Sequence, residues 1–244
     1  MKRDISISAF FPCYNDGGTI ASMVLETMIV LEKIVDDYEV IVIDDGSTDF
    51  SHDILKKLDK DYPQVKVVFH EKNKGYGGAL RSGFDASEKD FIFYTDGDAQ
   101  YDVRELRKLI EALGENDAVD VAQGFKLKRN DPWYRLLIGK AYQNIMKLMF
   151  SLKITDVDCD FRLLRRKIFE TVTLEKTSGV ICLELVKKVQ DAGFVFAEVP
   201  VNHFFRSYGT SQFFNFSRVF KVGLDVLELW WRLVVSPKLG RKKG

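Results

Sequence analysis

The feature that most constrains this chain is a recurrence. Short runs of β-branched and aromatic residues, each closed by a loop rich in Asp, Gly or Pro, alternate with longer stretches whose apolar residues return every three or four positions. Residues 5–11 (ISISAFF) and 39–43 (EVIVI) have the near-continuous apolar character of strands covered on both faces. Between them Ile20, Val24, Met28, Leu31 and Ile34 mark one face of a helix over 19–35, which makes a βαβ unit. The same alternation predicts a helix over 49–61, a strand over 65–69, a helix over 77–87, a strand over 91–95, a helix over 103–113 and a strand over 119–123. Consecutive βαβ units need crossover helices, so the first half is predicted to be a doubly wound, mostly parallel α/β sheet.

Past residue 125 the alternation loosens into a basic loop, a long apolar helix over 133–152, a helix over 179–192 and a last strand over 194–199. No repeat or linker interrupts the chain, and 244 residues with 46% hydrophobic and 30% charged side chains suit one globular domain with a short appendage. We place that domain at residues 1–212 and the appendage at 213–244. From Phe213 to Val235 the polar residues Ser217, Arg218, Lys221, Asp225, Glu228 and Arg232 form a narrow helical stripe, and the rest of the circumference is apolar. Trp230 and Trp231 are followed by Lys238, Arg241, Lys242 and Lys243. Packing on the core or an oligomer contact explains part of this pattern; aromatic residues beside a basic tail suit an amphipathic helix at a membrane surface.

Lys plus Arg equals Asp plus Glu at 36 each, so no basic excess points to nucleic acid. Cys13, Cys159 and Cys182 have neither paired spacing nor even count, as expected of reduced thiols in the cytoplasm. No apolar stretch reads as a signal sequence or a membrane-spanning helix.

In open α/β sheets ligands bind at the carboxyl ends of the strands, which directs attention to three loops. After the strand at 91–95 come Asp96, Gly97, Asp98, Ala99 and Gln100. Two carboxylates at one buried strand end repel unless a cation lies between them, and Mg²⁺ or Mn²⁺ with substrate phosphates meets that need. An exposed acidic turn would read the same in isolation. Asp44 and Asp45 end the strand at 39–43, where one carboxylate can accept from a nucleotide base or ribose; helix capping accounts for Asp49 better than for this pair. Tyr14, after Pro12 and Cys13, offers a flat face for a base.

Taken in order, PCYND, VIDDGSTD, NKGYGGALRSGF, YTDGDAQYD and DVDCDFRLLRR resemble family 2 of the glycosyltransferases, which have the GT-A fold, and within it the polyprenyl-phosphate sugar transferases. The resemblance runs from about Ile5 to Ser211. It implies that Pro12, Tyr14, Asp16, Asp45 and Arg81 border a nucleotide sugar, with Asp16 in place of the usual Glu, and that Gly75, Gly77 and Gly78 permit close backbone approach to it. It implies Asp96, Asp98 and Gln100 as the metal and diphosphate positions. It also implies Arg129 and Arg135 as the acceptor-phosphate grip and Arg206, before Gly209 and Ser211, as a lid residue closing on the donor diphosphate. Asp98 and Arg206 would then carry the catalysis; His203 is read as structural. Asp160 departs from the Gly of many relatives, which leaves the role of Arg162 open.

The implied activity is inverting transfer of a hexose from a nucleotide diphosphate sugar to a polyprenyl phosphate, by an enzyme resting on the cytoplasmic face of a membrane. A hydroxyl-glycosylating relative, with Asp158, Asp160 or Glu184 as base, is the nearer rival. A nucleotidyltransferase is more distant, since PCYNDGGT lacks the basic residue of its phosphate loop.

Overall fold

The structure, a computed structural model, describes residues 3–114, 118–127, 133–206, 208 and 216–241. The strands are β1 (Arg3–Cys13), β2 (Val35–Asp44), β3 (Val65–Phe69), β4 (Phe91–Thr95), β5 (Val121–Lys126), β6 (Phe161–Arg165) and β7 (Phe196–Val201). The helices are α1 (Ile20–Ile34), α2 (Ser51–Asp61), α3 (Tyr76–Ala86), α4 (Leu106–Gly114), α5 (Trp133–Phe150), α6 (Ile181–Asp191), α7 (Phe216–Trp230) and α8 (Ser236–Arg241). A 3₁₀ turn, Val103–Glu105, leads into α4, and a π-helical turn, Trp231–Val235, joins α7 to α8.

Seven strands form one sheet in the order β3-β2-β1-β4-β6-β5-β7. Its first four strands are parallel, and β6 runs antiparallel to both neighbours. The period of two along each strand divides the core. Ile7, Ala9 and Phe11 of β1, Val40 and Val42 of β2, and Phe93 of β4 face a layer formed with α1, α2 and α4. Phe10, Ile41, Ile43, Ile92 and Tyr94 face the other layer, which α3 and α6 cover. The mostly parallel three-layer architecture expected from the alternation is therefore present. The strand β6 has no counterpart among the predicted strands: Phe-Arg-Leu-Leu-Arg is short and carries two arginines, yet it sits between β4 and β5 with Arg162 fully buried.

A third cluster joins α5, α6 and α7, with Met146, Phe150, Leu183 and Val186 packed against Val226 and Leu229. The polar stripe of α7 lies along the flank of that contact, where Asp225 accepts from Ser178 at 2.7 Å, Glu228 pairs with Lys176 at 2.8 Å, and Arg232 beyond it pairs with Glu175 at 2.6 Å. The side of α7 turned away from the body is apolar: Phe220, Leu224, Leu227 and Trp231 are 71, 52, 55 and 55% exposed. Among the described residues, no helix is long and apolar enough to cross a membrane.

Candidate functional site

The carboxyl ends of β1, β2 and β4 lie side by side in the sheet, and the loops that leave them are bound to one another. Asn15 adopts a left-handed conformation, φ 58°, which Asn tolerates better than most residues. Its side-chain oxygen accepts from Thr48 N at 2.8 Å and Asp49 N at 3.2 Å, joining the loop after β1 to the loop after β2. Thr19 donates to the carbonyl of Gly97 at 2.8 Å, joining the first loop to the one after β4. Gly97 fits closely there, since a Cβ would lie 3.0 Å from the carbonyl oxygen of Pro12 and 3.1 Å from Ile20 Cδ1. Ala99 in the same loop is held at φ 60°, a conformation that costs an L-residue roughly 1–2 kcal/mol.

The next contribution comes from β6. Tyr94 pairs with Arg162 and Thr95 with Phe161 across the antiparallel ladder, so Asp96 and Asp160 continue it as the facing pair. Like charges directly opposite are unfavourable. Arg162 offsets one of them from below: it donates to Asp160 at 2.8 Å, to Gln123 at 2.7 Å, to the Val157 carbonyl at 2.6 Å and to the Tyr94 hydroxyl. This fixes the role of Arg162 as the buried counter-charge of Asp160. Tyr76 donates to Asp96 at 2.7 Å.

The segment after β7 closes over these carboxylates. Phe204 N donates to the Gln100 carbonyl at 2.8 Å, Gln100 Nε2 donates back to the Phe204 carbonyl at 3.0 Å, and His203 bridges to Tyr101. That clamp brings Arg206 between Asp98, at 3.2 Å, and Asp16, at 3.3 Å. Its Nε is buried and has no partner among the described residues. Asp16 is pushed up to about 6, mainly by burial, with Arg206 opposing. Asp96 and Asp98 are also raised: burial acts first on both, Asp160 and Asp98 add to it at Asp96, and Arg206 opposes it at Asp98.

Asp16, Asp96, Asp98 and Asp160 against Arg162 and Arg206 leave an excess of negative charge in an oxygen-only environment, which a hard divalent cation fits. Among the described residues no three His, Cys, Asp or Glu side chains converge on one ion position. The donor set fits an ion held by Asp98 and Asp96 and completed by water and phosphate oxygens. Gln100 turns its amide nitrogen to the lid carbonyl.

These shifts carry a sign. A carboxyl whose value is raised on folding holds a proton that the unfolded chain has released, so its contribution favours the folded state at low pH. That contribution is lost as pH rises from near 4 through about 6 for Asp16, and Asp96 and Asp98 act in the same direction. We expect the melting temperature without divalent cations to fall between pH 5 and pH 8, and Mn²⁺ to recover more at pH 8 than at pH 5. A recovery of roughly 3–6 °C is reasonable, since about 1 kcal/mol moves the midpoint of a domain this size by about 2–4 °C. Equal shifts at both pH values in thermal scans would count against a metal at these carboxylates.

At the end of β2 the structure separates Asp44 from Asp45. Asp44 is spent on its own turn, accepting from Ser47 N at 2.9 Å and meeting His52 at 2.9 Å, and Asp49 accepts from Ser51 N at the start of α2. Asp45 is buried, 3% exposed, and its N–H donates to Cys13 O at 2.9 Å, next to Tyr14, which is 37% exposed. Arg81 is exposed on α3 and reaches the Glu175 carbonyl at 3.4 Å, so it braces the cleft wall from outside. The close approach that Gly77 permits is to the chain's own backbone: a Cβ there would lie 2.5 Å from the Lys176 carbonyl oxygen, and Gly77 N donates to Thr177 O at 2.9 Å. Arg129 and the side chain of Arg135 lie outside the described residues. Sequence reasoning missed Tyr76 and His70 as members of the site.

A family model described as Glycosyl transferase family 2 matches residues 8–173. Glycosyltransferase AglD of Haloferax volcanii is 29% identical over 245 residues, covering 98% of this chain and 39% of the relative, so the chain spans about two-fifths of that protein's length. Among solved structures, glucosyl-3-phosphoglycerate synthase of Mycobacterium tuberculosis, in complex with phosphoglyceric acid, superposes with a TM-score of 0.69 at 17% identity, over 93% of this chain and 79% of the other. The same enzyme in complex with Mn²⁺, uridine diphosphate and glucosyl-3-phosphoglycerate superposes equally well, at 16% identity and the same coverage.

Proposed function

The chain belongs to glycosyl transferase family 2, and we propose that it moves a hexose from a nucleotide diphosphate sugar to a polyprenyl phosphate, inverting the anomeric carbon. The observation that carries this reading is the group of carboxylates at the ends of β1, β4 and β6 with Arg206 clamped among them. A neighbour in fold binds Mn²⁺ and uridine diphosphate, in keeping with a metal-assisted diphosphate site here.

In this reading Asp45 and Tyr14 hold the base and ribose, and the diphosphate lies between the carboxylate loop and Arg206. A divalent ion bound by Asp96 and Asp98 would neutralise the charge that builds on the departing diphosphate. Arg206, whose Nε has no partner among the described residues, would offer its guanidinium to the same oxygens, since a guanidinium can meet a phosphate in two bonds. An acceptor phosphate oxygen attacks the anomeric carbon as the bond to the nucleotide diphosphate breaks, and Arg129 and Arg135 draw that phosphate in. The phosphate is already anionic, so no proton has to be removed.

Incubation of the protein and Mn²⁺ with a panel of labelled sugar nucleotides and a short polyprenyl phosphate in detergent tests this reading. Labelled glycolipid from at least one donor is expected; none from any would overturn it.

A lipid acceptor implies a membrane surface, and α7 supports one. Its inner face is covered by α5 and α6, its polar flank is bonded to residues 175–178, and its third side presents Phe220, Leu224, Leu227 and Trp231 outward, with Lys221 and Lys238 exposed nearby. Full burial of such a side chain is worth about 1.5–3 kcal/mol, and each of these, more than half exposed, forgoes roughly half or more of that, which lipid acyl chains would restore. The docked surface would be the cytoplasmic one, whose anionic lipids attract the basic tail. Replacing Leu224, Leu227 and Trp231 together by Ser leaves the inner face intact. It should lower sedimentation with vesicles containing phosphatidylserine by roughly tenfold without lowering the melting temperature. Unchanged vesicle binding would assign the stripe to another contact, such as a second copy of the chain.

A further inference from the structure

Asp45 is more tightly organised than a residue that merely ends a strand. Its N–H donates to Cys13 O at 2.9 Å, and its carbonyl accepts from Asn73 Nδ2 at 3.0 Å. Its Oδ1 accepts twice, from Lys74 N at 2.8 Å and from His70 Nδ1 at 2.6 Å. No described residue donates to Oδ2. The carboxylate, its side chain 4% exposed, is thus pinned through one oxygen and keeps the other uncommitted among the described residues.

His70 follows β3 and is buried, its side chain 2% exposed, between that carboxylate and Ser82 of α3. Its own N–H donates to Asp44 O at 2.9 Å, and its Nε2 lies 2.8 Å from Ser82 Oγ. An ionised carboxylate accepts and never donates, so Nδ1 carries a proton; the Ser82 hydroxyl, which can donate or accept, serves Nε2. Hydroxyl, imidazole and carboxylate in line also occur in hydrolases, where the serine is the reactive end. Here the uncommitted atom is at the opposite end, Asp45 Oδ2 at the carboxyl edge of the sheet.

We propose that His70 is a positioning residue for nucleotide recognition. Backed by Ser82, it fixes the rotamer of Asp45 so that Oδ2 accepts a hydrogen bond from a nucleobase ring N–H, as uracil and guanine present and cytosine and adenine do not. This rests on the assignment of Asp45 to the nucleotide. A free Asp rotates about χ1 and χ2 and loses that freedom when it binds. An imidazole that bonds the carboxylate beforehand removes the cost, and it does so without using the oxygen that must face the ligand.

The test uses the whole chain, Mn²⁺ and four probes in titration calorimetry: UDP, GDP, CDP and inorganic pyrophosphate. Wild-type protein should bind UDP or GDP at least about tenfold more tightly than CDP. His70→Phe, which keeps an aromatic ring and removes the donor, should weaken that nucleotide by about 10–100-fold, the range for a hydrogen bond to a charged group. Its pyrophosphate affinity should stay within about twofold, because pyrophosphate has no base. In turnover the loss should fall on the donor's KM and leave kcat within about twofold.

His70→Asn, whose amide nitrogen can stand in for Nδ1, should recover most of the affinity. Ser82→Ala, which removes a half-buried hydroxyl, should weaken the nucleotide by about threefold and serves if His70→Phe does not fold. Two failures are distinguishable. If Asp45→Asn binds nucleotide as well as wild type, the nucleotide assignment of Asp45 is wrong. If Asp45→Asn weakens binding while His70→Phe and Ser82→Ala do not, or if His70→Phe weakens pyrophosphate equally, His70 is only part of the packing.

Discussion

Asp98→Asn should lower glycosyl transfer by about 10³-fold and leave the melting temperature unchanged or slightly higher. The two halves of this expectation come from the same geometry. Asp98 is buried beside Asp96 and Asp160 with Arg206 as its partner, so its charge is unfavourable until a cation completes the site. Asn keeps the shape and can still accept from Gln100 N through its carbonyl oxygen, as Asp98 does at 3.1 Å. Arg206 keeps Asp16, at 3.3 Å. Folding therefore loses one charged contact and sheds a repulsion. With Asp98 holding the ion as proposed, the chemical step would lose a ligand to it, and removing one preorganised electrostatic contact of this kind costs about 3–4 kcal/mol. Excess chelator should reproduce the defect in wild-type protein and add little to it in the variant. Turnover above one-tenth of wild type, or full wild-type activity in chelator, would remove the metal from the mechanism.

The parts of this site visible in the sequence are those in which one residue type at one loop position suffices. Asp96 and Asp98 follow an apolar run that has to be a buried strand, and Asp45 and Tyr14 likewise end strands, so the order of elements alone brings them to one edge. What stays hidden depends on pairing between distant segments. β6 is five residues bounded by charge, and nothing local says that Arg162 is buried; its place follows from register with β4, which also sets Asp160 opposite Asp96. His70 is one residue past a strand, and its meaning needs Ser82, twelve positions later, on the same side of the sheet. The periodicity of α7 shows a polar stripe but not its direction. Only the packing shows that Asp225 and Glu228 meet the body of the protein while Leu224 and Leu227 look outward. Gly77 illustrates a right residue with a different reason: a motif glycine that suggests close ligand approach is occupied by the backbone at 176–177.

The second large effect concerns the acceptor. Offered labelled donor with either a polyprenyl phosphate or the matching polyprenol, the protein should glycosylate the phosphate at least about 10²-fold faster. An alcohol must lose its proton as it attacks, and without a positioned base that step forfeits about 10²–10⁴ in rate. The candidates for such a base are already engaged. Glu184 is fully buried, with Oε2 accepting from Glu175 N at 3.0 Å and Lys176 N at 2.8 Å and Oε1 paired with Lys188 at 2.7 Å. It organises the turn before α6. Asp160 is engaged through Oδ1, by Arg162 at 2.8 Å and by the Tyr94 hydroxyl at 3.3 Å. Glu184→Gln, provided it folds, should leave kcat with the lipid phosphate within about threefold, since the residue serves the fold and not the reaction. A phosphate oxygen needs cations near it and no base, so Arg135→Ala should raise the acceptor's KM by tenfold or more while sparing donor binding. Equal transfer to phosphate and alcohol, or transfer to the alcohol alone, would mean that a carboxylate takes up the proton after all; Asp158 and Asp160, beside the reacting edge of the sheet, would then be the residues to replace.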